Sequence, residues 1–251
     1  MAKAQLADTY ISPEQLTVTI TGPTVSVSVG ADLKIYRVHK ALLIHHAPGF
    51  KMRRPNQSPG IVLLPAIETG VFNLLVHYLY IQTIPNEEGD AFLILIERQM
   101  DAGGFAPIWD VLWACISAYQ FAQEISATGF GAAVNNHLVG EWPDGSCELN
   151  SGAKQSLLAK AFEGGRQGQV MQQFLIDDYC ESDWDDGEGD EGELSANVRL
   201  RCMRRLKELV VQPQANSELR CYLEHVAEGE RDACPKLHMR FDDSIRHGVF
   251  E

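Results

Sequence analysis

Between Asp177 and Glu193 the chain carries ten acids in seventeen residues and no base. Three glycines, Gly187, Gly189 and Gly192, fall inside the same stretch, with almost nothing apolar. Such a segment buries too little surface to offset its ordering entropy, so residues 181–194 read as a disordered linker. Calcium binding is the other reading of alternating carboxylate and glycine. The stretch lacks the twelve-residue spacing and closing Glu of an EF-hand. The run therefore divides the 251 residues into a larger N-terminal part and a smaller C-terminal one.

The same run accounts for most of the chain's charge. The formal net charge is −13, and without these ten acids it is −3. That balance disfavours nucleic acid and anionic membranes as partners, because both attract a basic surface. No apolar run approaches the ~18 residues of a membrane span, and residues 1–8 lack the apolar centre of a signal peptide. The expected location is intracellular, nuclear or cytoplasmic. The six scattered cysteines then read as free thiols. Beyond the acids, Arg199, Arg201, Arg204, Arg205 and Lys207 form a basic cluster. Cys202, Leu206, Leu209 and Val210 fall at i, i+4, i+7 and i+8, so the bases read as the solvated side of a helix.

Residues 1–16 show little pattern. Val25, Val27 and Val29 alternate with serines, which predicts a strand with one buried face. Gly30-Ala31-Asp32 predicts a turn, and Lys34 to Val38 the second strand of a hairpin. A short helix opens at His39 and stops at Pro48-Gly49. Ile61-Val62-Leu63-Leu64, closed by Pro65, predicts a buried strand. Val71, Leu74, Leu75, Tyr78 and Leu79 predict a central helix, ended by Ile84-Pro85. Residues 86–106 read as a loop with an apolar patch. Ile108, Val111, Leu112, Cys115, Ile116 and Tyr119 predict a second long helix over 107–124, and Phe130, Val134, His137 and Leu138 a third. Helices are expected at 153–163 and 168–179, and a last one through Leu219, Tyr222, Leu223 and Val226. Leu74, Leu75, Tyr78, Val111, Leu112 and Ile116 are the expected core.

The wording of several of these segments resembles the BTB/POZ family, closest to its filamentous-fungal branch. Val25 to Gly30, followed by Ile35-Tyr36-Arg37-Val38-His39-Lys40-Ala41-Leu42-Leu43, is similar to the family's opening strand, glycine, Val-His-Lys strand end and Leu-Leu helix. Ile61 to Pro65 resembles its third strand and Leu-Pro step. Phe72 through Leu79-Tyr80 resembles its central helix, and Ala118-Tyr119-Gln120-Phe121-Ala122 a later structural helix. Met171 to Tyr179 resembles a divergent copy of a C-terminal helix of the fungal members. The resemblance implies structural roles for Gly30, Val38, His39, Lys40, Leu42, Leu43, Pro65, Leu79 and Tyr80. It implies an α+β fold, with a three-stranded sheet (hairpin plus one strand) flanked by helices and followed by an all-α C-terminal extension. The expected division is an N-terminal segment at 1–16, a BTB/POZ-like domain at 17–145, a helical extension at 146–180, the linker at 181–194 and a helical region at 195–251. Ala47-Pro48-Gly49-Phe50 departs from the family's Ser-x-Phe-Phe. Residues 51–60 hold no apolar-x-Glu motif, by which ubiquitin-ligase adaptors grip the cullin scaffold.

No catalytic motif is present. A Gly-x-Ser-x-Gly elbow and a phosphate-cradling Gly-x-x-x-x-Gly-Lys are both missing. Gly129-Phe130-Gly131 lacks the third glycine and the preceding strand of a dinucleotide site. No cofactor is implied. His45-His46 read as surface or boundary residues, since adjacent helical side chains diverge. One cluster is open to two readings. Cys221 and His225 are four apart, as are Cys234 and His238, with His247 nearby. Two i, i+4 pairs suit a Cys2His2 zinc site. The unusual x3, x8, x3 spacing and Pro235 favour instead a surface cysteine with unrelated histidines. The residues thus favour a non-enzymatic protein-interaction module of BTB/POZ type that self-associates as a homodimer or recruits a protein partner. A substrate adaptor for a cullin-based ubiquitin ligase and a zinc-binding regulatory protein are the alternatives.

Overall fold

A computed structural model describes residues 21–51, 61–85, 91–97, 108–140, 149, 151–163, 170–181, 194–211, 220–225, 234 and 237–238. The segments 1–16 and 182–193 therefore lie outside the described residues. The chain forms two compact units, residues 1–137 and 138–251.

The first unit opens with the hairpin β1 (Thr24–Val29) and β2 (Lys34–His39), paired antiparallel with Val27 opposite Tyr36. Gly30 makes the turn possible. Its φ is +76°, a left-handed conformation that costs glycine little. Its N–H donates to the Leu64 carbonyl at 3.1 Å, joining the turn to the third strand. That strand, β3 (Ile61–Leu64), lies parallel to β1, so the sheet order is β2-β1-β3. Val27, Val29, Val38 and Leu64 face the core. Ile61 and Leu63 do not, which corrects the expectation of a buried strand. The sheet is covered on one face only, so alternate residues of β3 face outward together with Ile35 of β2.

Helix α1 (Lys40–His46) follows β2 without a loop, and a 3-10 turn covers Pro48–Lys51. The central helix α2 (Thr69–Ile81) buries Val71, Phe72, Leu74, Leu75, Tyr78 and Leu79. It ends three residues before Ile84. Gln82 adopts φ 62°, and its N–H caps the Tyr78 carbonyl. The segment read as a loop contains a one-turn helix, α3 (Ala91–Leu95), because Phe92 and Leu93 insert into the core. Asn73 holds it there. Its amide donates to the Leu95 carbonyl at 2.7 Å, while its carbonyl accepts the Tyr36 hydroxyl at 2.7 Å. Helix α4 (Ile108–Glu124) packs on α2 and buries Val111, Leu112, Cys115 and Ile116. Helix α5 (Thr128–Gly140) buries Phe130, Val134 and Leu138. The six expected core residues are all buried.

The second unit contains α6 (Ser151–Ala161), α7 (Val170–Glu181) and α8 (Ala196–Val211), with α7 packed on both neighbours. The regions expected as a separate extension and tail thus form one body. The C-terminal part is not all helical. β4 (Arg220–Cys221) and β5 (Leu237–His238) form a two-stranded parallel sheet, and residues 222–225 are irregular. Of the helix expected through Leu219, Tyr222, Leu223 and Val226, the described residues 220–225 are strand and then irregular, while Leu219 and Val226 lie outside the described residues. Among the described residues no helix is long and apolar enough to cross a membrane.

Of the acidic linker expected at 181–194, Glu181 is the last residue of α7 and Leu194 is buried, while 182–193 lie outside the described residues. Asp177, the first acid of the run, lies inside α7 and is fully buried. Arg205 reaches Asp177 at 2.7 Å, with side chains only 2% and 1% exposed, and the Tyr222 hydroxyl donates to the other carboxylate oxygen. Lys154 pairs with Asp178 at 3.0 Å. The inward face of α8 is therefore Val198, Cys202 and Arg205, and Leu206, expected inside, is 39% exposed. Spacing alone placed the leucines inward. The buried acid on α7 instead turns the helix so that Arg205 is inside, while Arg199, Arg204 and Lys207 are exposed and Arg201 lies half-buried over the Phe162 ring at 5.2 Å.

Candidate functional site

The residues singled out by the family resemblance converge on one junction of the first unit. Val38, Leu42, Leu43 and Leu79 are buried. His39 ends β2 and caps α1, and Lys40 donates its N–H to the Pro23 carbonyl at 2.9 Å. The His39 backbone N–H donates to the Tyr80 hydroxyl oxygen at 3.3 Å, and His39 Nδ1 lies 2.7 Å from the same oxygen. A hydroxyl that accepts from the backbone has its own proton available for the ring nitrogen. This one oxygen therefore ties the strand-to-helix turn to the end of α2, forty-one residues further on. His39 does structural work here. Pro65 follows β3 and is exposed.

His46, read as a boundary residue, is buried against Tyr78, while His45 is exposed. Burial, together with the neighbouring His45, lowers the His46 pKa to about 4. His137 stacks on Phe92 at 5.0 Å, and burial lowers its pKa to about 4 also. Among the described residues neither ring has a hydrogen-bond partner on its Nε2. Two neutral, apolar-packed imidazoles in one unit are poor proton donors near neutral pH and fit packing roles.

The outer face of the sheet is the feature the sequence reading missed. Ile35 is 66% exposed, Ile61 51% and Leu63 54%. The register sets Ser28 between Ile35 and Leu63, and Ser26 between Arg37 and Ile61. The three apolar side chains thus share one face of a sheet whose neighbouring strands are ~4.8 Å apart. Ser28 between them is buried, its hydroxyl donating to the Leu33 carbonyl at 3.1 Å. The signal was present in the alternation: if Val25, Val27 and Val29 point inward, Ile35 must point outward. Among the described residues, β2 and β3 have no second strand neighbour. Lys34 and Arg37 on β2, and a β3 of four residues ended by Pro65, make poor templates for an added strand. An open groove beside α1 is lined by Pro23, Lys40, Ala41, Ile44, His45 and Pro48.

In the second unit, Cys221, His225 and Cys234 come together although they share no helix. Cys221 Sγ lies 3.3 Å from His225 Nε2 and 3.6 Å from Cys234 Sγ. All three donor atoms lie within 4.8 Å of one another. His238 is opposite Cys221 in the β4–β5 register. Three of the four candidates thus have their donor atoms together. His247 lies outside the described residues. The five cysteines among the described residues form no disulfide. No protein-family model, curated protein or solved structure matches the chain.

Proposed function

We propose that the first unit is a protein-interaction module of BTB/POZ type, working through the outer face of its sheet. The observation that carries this reading is the apolar group of Ile35, Ile61 and Leu63, each more than half exposed. Contiguous exposed apolar side chains on a sheet are a common mark of a contact surface. The order of hairpin, helix, strand and helix, and the structural roles of His39 and Tyr80, support the family reading. The charged, short strand edges favour contact by the face over strand addition. The reading is non-enzymatic: His46 and His137 are spent on packing and His39 on the latch to Tyr80, and no nucleophile, base and orienting partner are found together among the described residues.

Light scattering of the purified chain, alone and mixed with the N-terminal region of a BTB-binding cullin, tests it. The expected result is association that Ile35→Lys with Leu63→Lys abolishes while the melting temperature stays unchanged. A complex with the cullin would narrow the module to a ligase adaptor. Association that survives both substitutions would refute the assignment to this face.

A further inference from the structure

We propose that Cys221, His225, Cys234 and His238 form a structural zinc site in the second unit. This inference is independent of the function assigned to the first unit. It begins with donor chemistry. Two thiols and an imidazole are borderline-soft ligands, and a tetrahedral set of two sulfurs and two nitrogens is characteristic of zinc.

The distances fit that geometry. With Zn–S at ~2.3 Å and Zn–N at ~2.0–2.1 Å, a tetrahedron has S···S edges of about 3.8 Å and S···N edges of about 3.5–3.6 Å. The observed Cys221–Cys234 and Cys221–His225 separations are 3.6 and 3.3 Å. The Cys234–His225 edge is no longer than 4.8 Å. A disulfide needs its sulfurs at ~2.05 Å, so the cysteine pair is arranged for something else. The fourth ligand is assigned from the sequence: His238 stands four residues after Cys234, and the backbone register sets its position in β5 opposite Cys221 in β4. The spacing Cys-x3-His-x8-Cys-x3-His resembles no common finger. The obstacle that Pro235 posed to a helical pair disappears, because neither pair is helical in the structure.

The surroundings suit a structural centre. Cys221 is buried, and the residue after it, Tyr222, packs on Phe174 at 5.1 Å between ring centres and donates to Asp177. The cluster is thereby fastened to α7. Two strands of two residues each hold too few backbone hydrogen bonds to stand unaided, and a metal closing the loop between them would supply what they lack. Binding releases the two thiol protons and leaves both imidazoles neutral, so affinity falls as the pH is lowered.

The full-length chain, purified without chelator or a histidine tag, is analysed by plasma mass spectrometry and reloaded with cobalt(II). The expected result is about one zinc per chain and a cobalt spectrum with tetrahedral d–d bands and thiolate charge transfer. Cys234→Ser should lose both. Cys234→His should restore metal with a weaker thiolate band, which separates ligand loss from misfolding. His238→Ala should keep metal at reduced affinity and shift the d–d bands. Metal-free protein that takes up no cobalt, an iron-containing chromophore, or a Cys221–Cys234 disulfide in the freshly isolated chain would overturn the proposal. An unchanged spectrum in His238→Ala would remove His238 from the site.

Discussion

Substituting Asp177 by Asn should cost the second unit about 3–5 kcal/mol, the usual penalty for breaking a buried ion pair. The change keeps the side chain's volume and removes its charge. Arg205 lies 2.7 Å from that carboxylate and is 2% exposed. At an effective dielectric near 20, two unit charges at this distance attract by roughly 6 kcal/mol, most of which offsets the desolvation of both groups. The whole pair is therefore worth little against an apolar replacement. Its half, a buried guanidinium that has lost this carboxylate, is expensive. The Tyr222 hydroxyl loses its anionic acceptor in the same step. Hydrogen exchange read by mass spectrometry resolves the effect by segment. Peptides from α7 and α8 should exchange about two to nearly four orders of magnitude faster, while those from α2 in the other unit stay unchanged. Asp177→Leu with Arg205→Met should recover most of the loss. A change below about 1 kcal/mol in Asp177→Asn would refute the buried pair.

Two further predictions concern the first unit. His46 and His137 are each held neutral, with pKa values near 4 against an ordinary 6.5. Between those limits the unfolded chain binds more protons than the folded one, so stability falls as the pH drops from about 6.5 to 4. The full difference corresponds to roughly 3 kcal/mol per ring, and partial contact with water reduces it to about 1–2. Urea unfolding at pH 7 and pH 4.5 should show that loss, and its absence in His46→Phe with His137→Phe would confirm the source. Gly49→Ala would place a methyl carbon 2.5 Å from the Ile125 carbonyl oxygen, whose bond with the Gly49 N–H closes this contact at 2.8 Å. The backbone must shift, so a loss of about 1–3 kcal/mol is expected, and an unchanged melting temperature would contradict the contact.

The sequence revealed the hairpin, the long helices and the first unit's core, because their signals are local. The 2-residue period of Val25 to Val29 and the 3.6-residue period around Leu74 and Leu112 each state which side is dry. It misjudged elements whose state depends on distant partners. Ile61 to Leu64 looked like a buried strand because a short apolar run does not say how many neighbours it has. Phe92 and Leu93 were passed over because five residues carry too little periodicity. Asp177 was grouped with its acidic successors, since nothing local marks one carboxylate as the partner of an arginine twenty-eight positions on. The Cys/His set was visible, but for a reason that did not hold. The described residues there form two short parallel strands and irregular chain, and the donor atoms meet through that pairing instead of along a helix.

The parallel pairing of β1 with β3 has a consequence for how the first unit is made. The hairpin closes within sixteen residues, from Thr24 to His39. The third strand joins Ser26 to Ile61, across a much longer loop. Loop-closure entropy rises by only about 0.6 kcal/mol per doubling of length, yet it must be met before any pairing rewards it. As the chain leaves the ribosome, β1 and β2 can pair well before β3 is synthesised. Until then the inner edge of β1 is an open strand, and the nascent chain passes through a stage when another copy, or a chaperone, can occupy the place that β3 later takes.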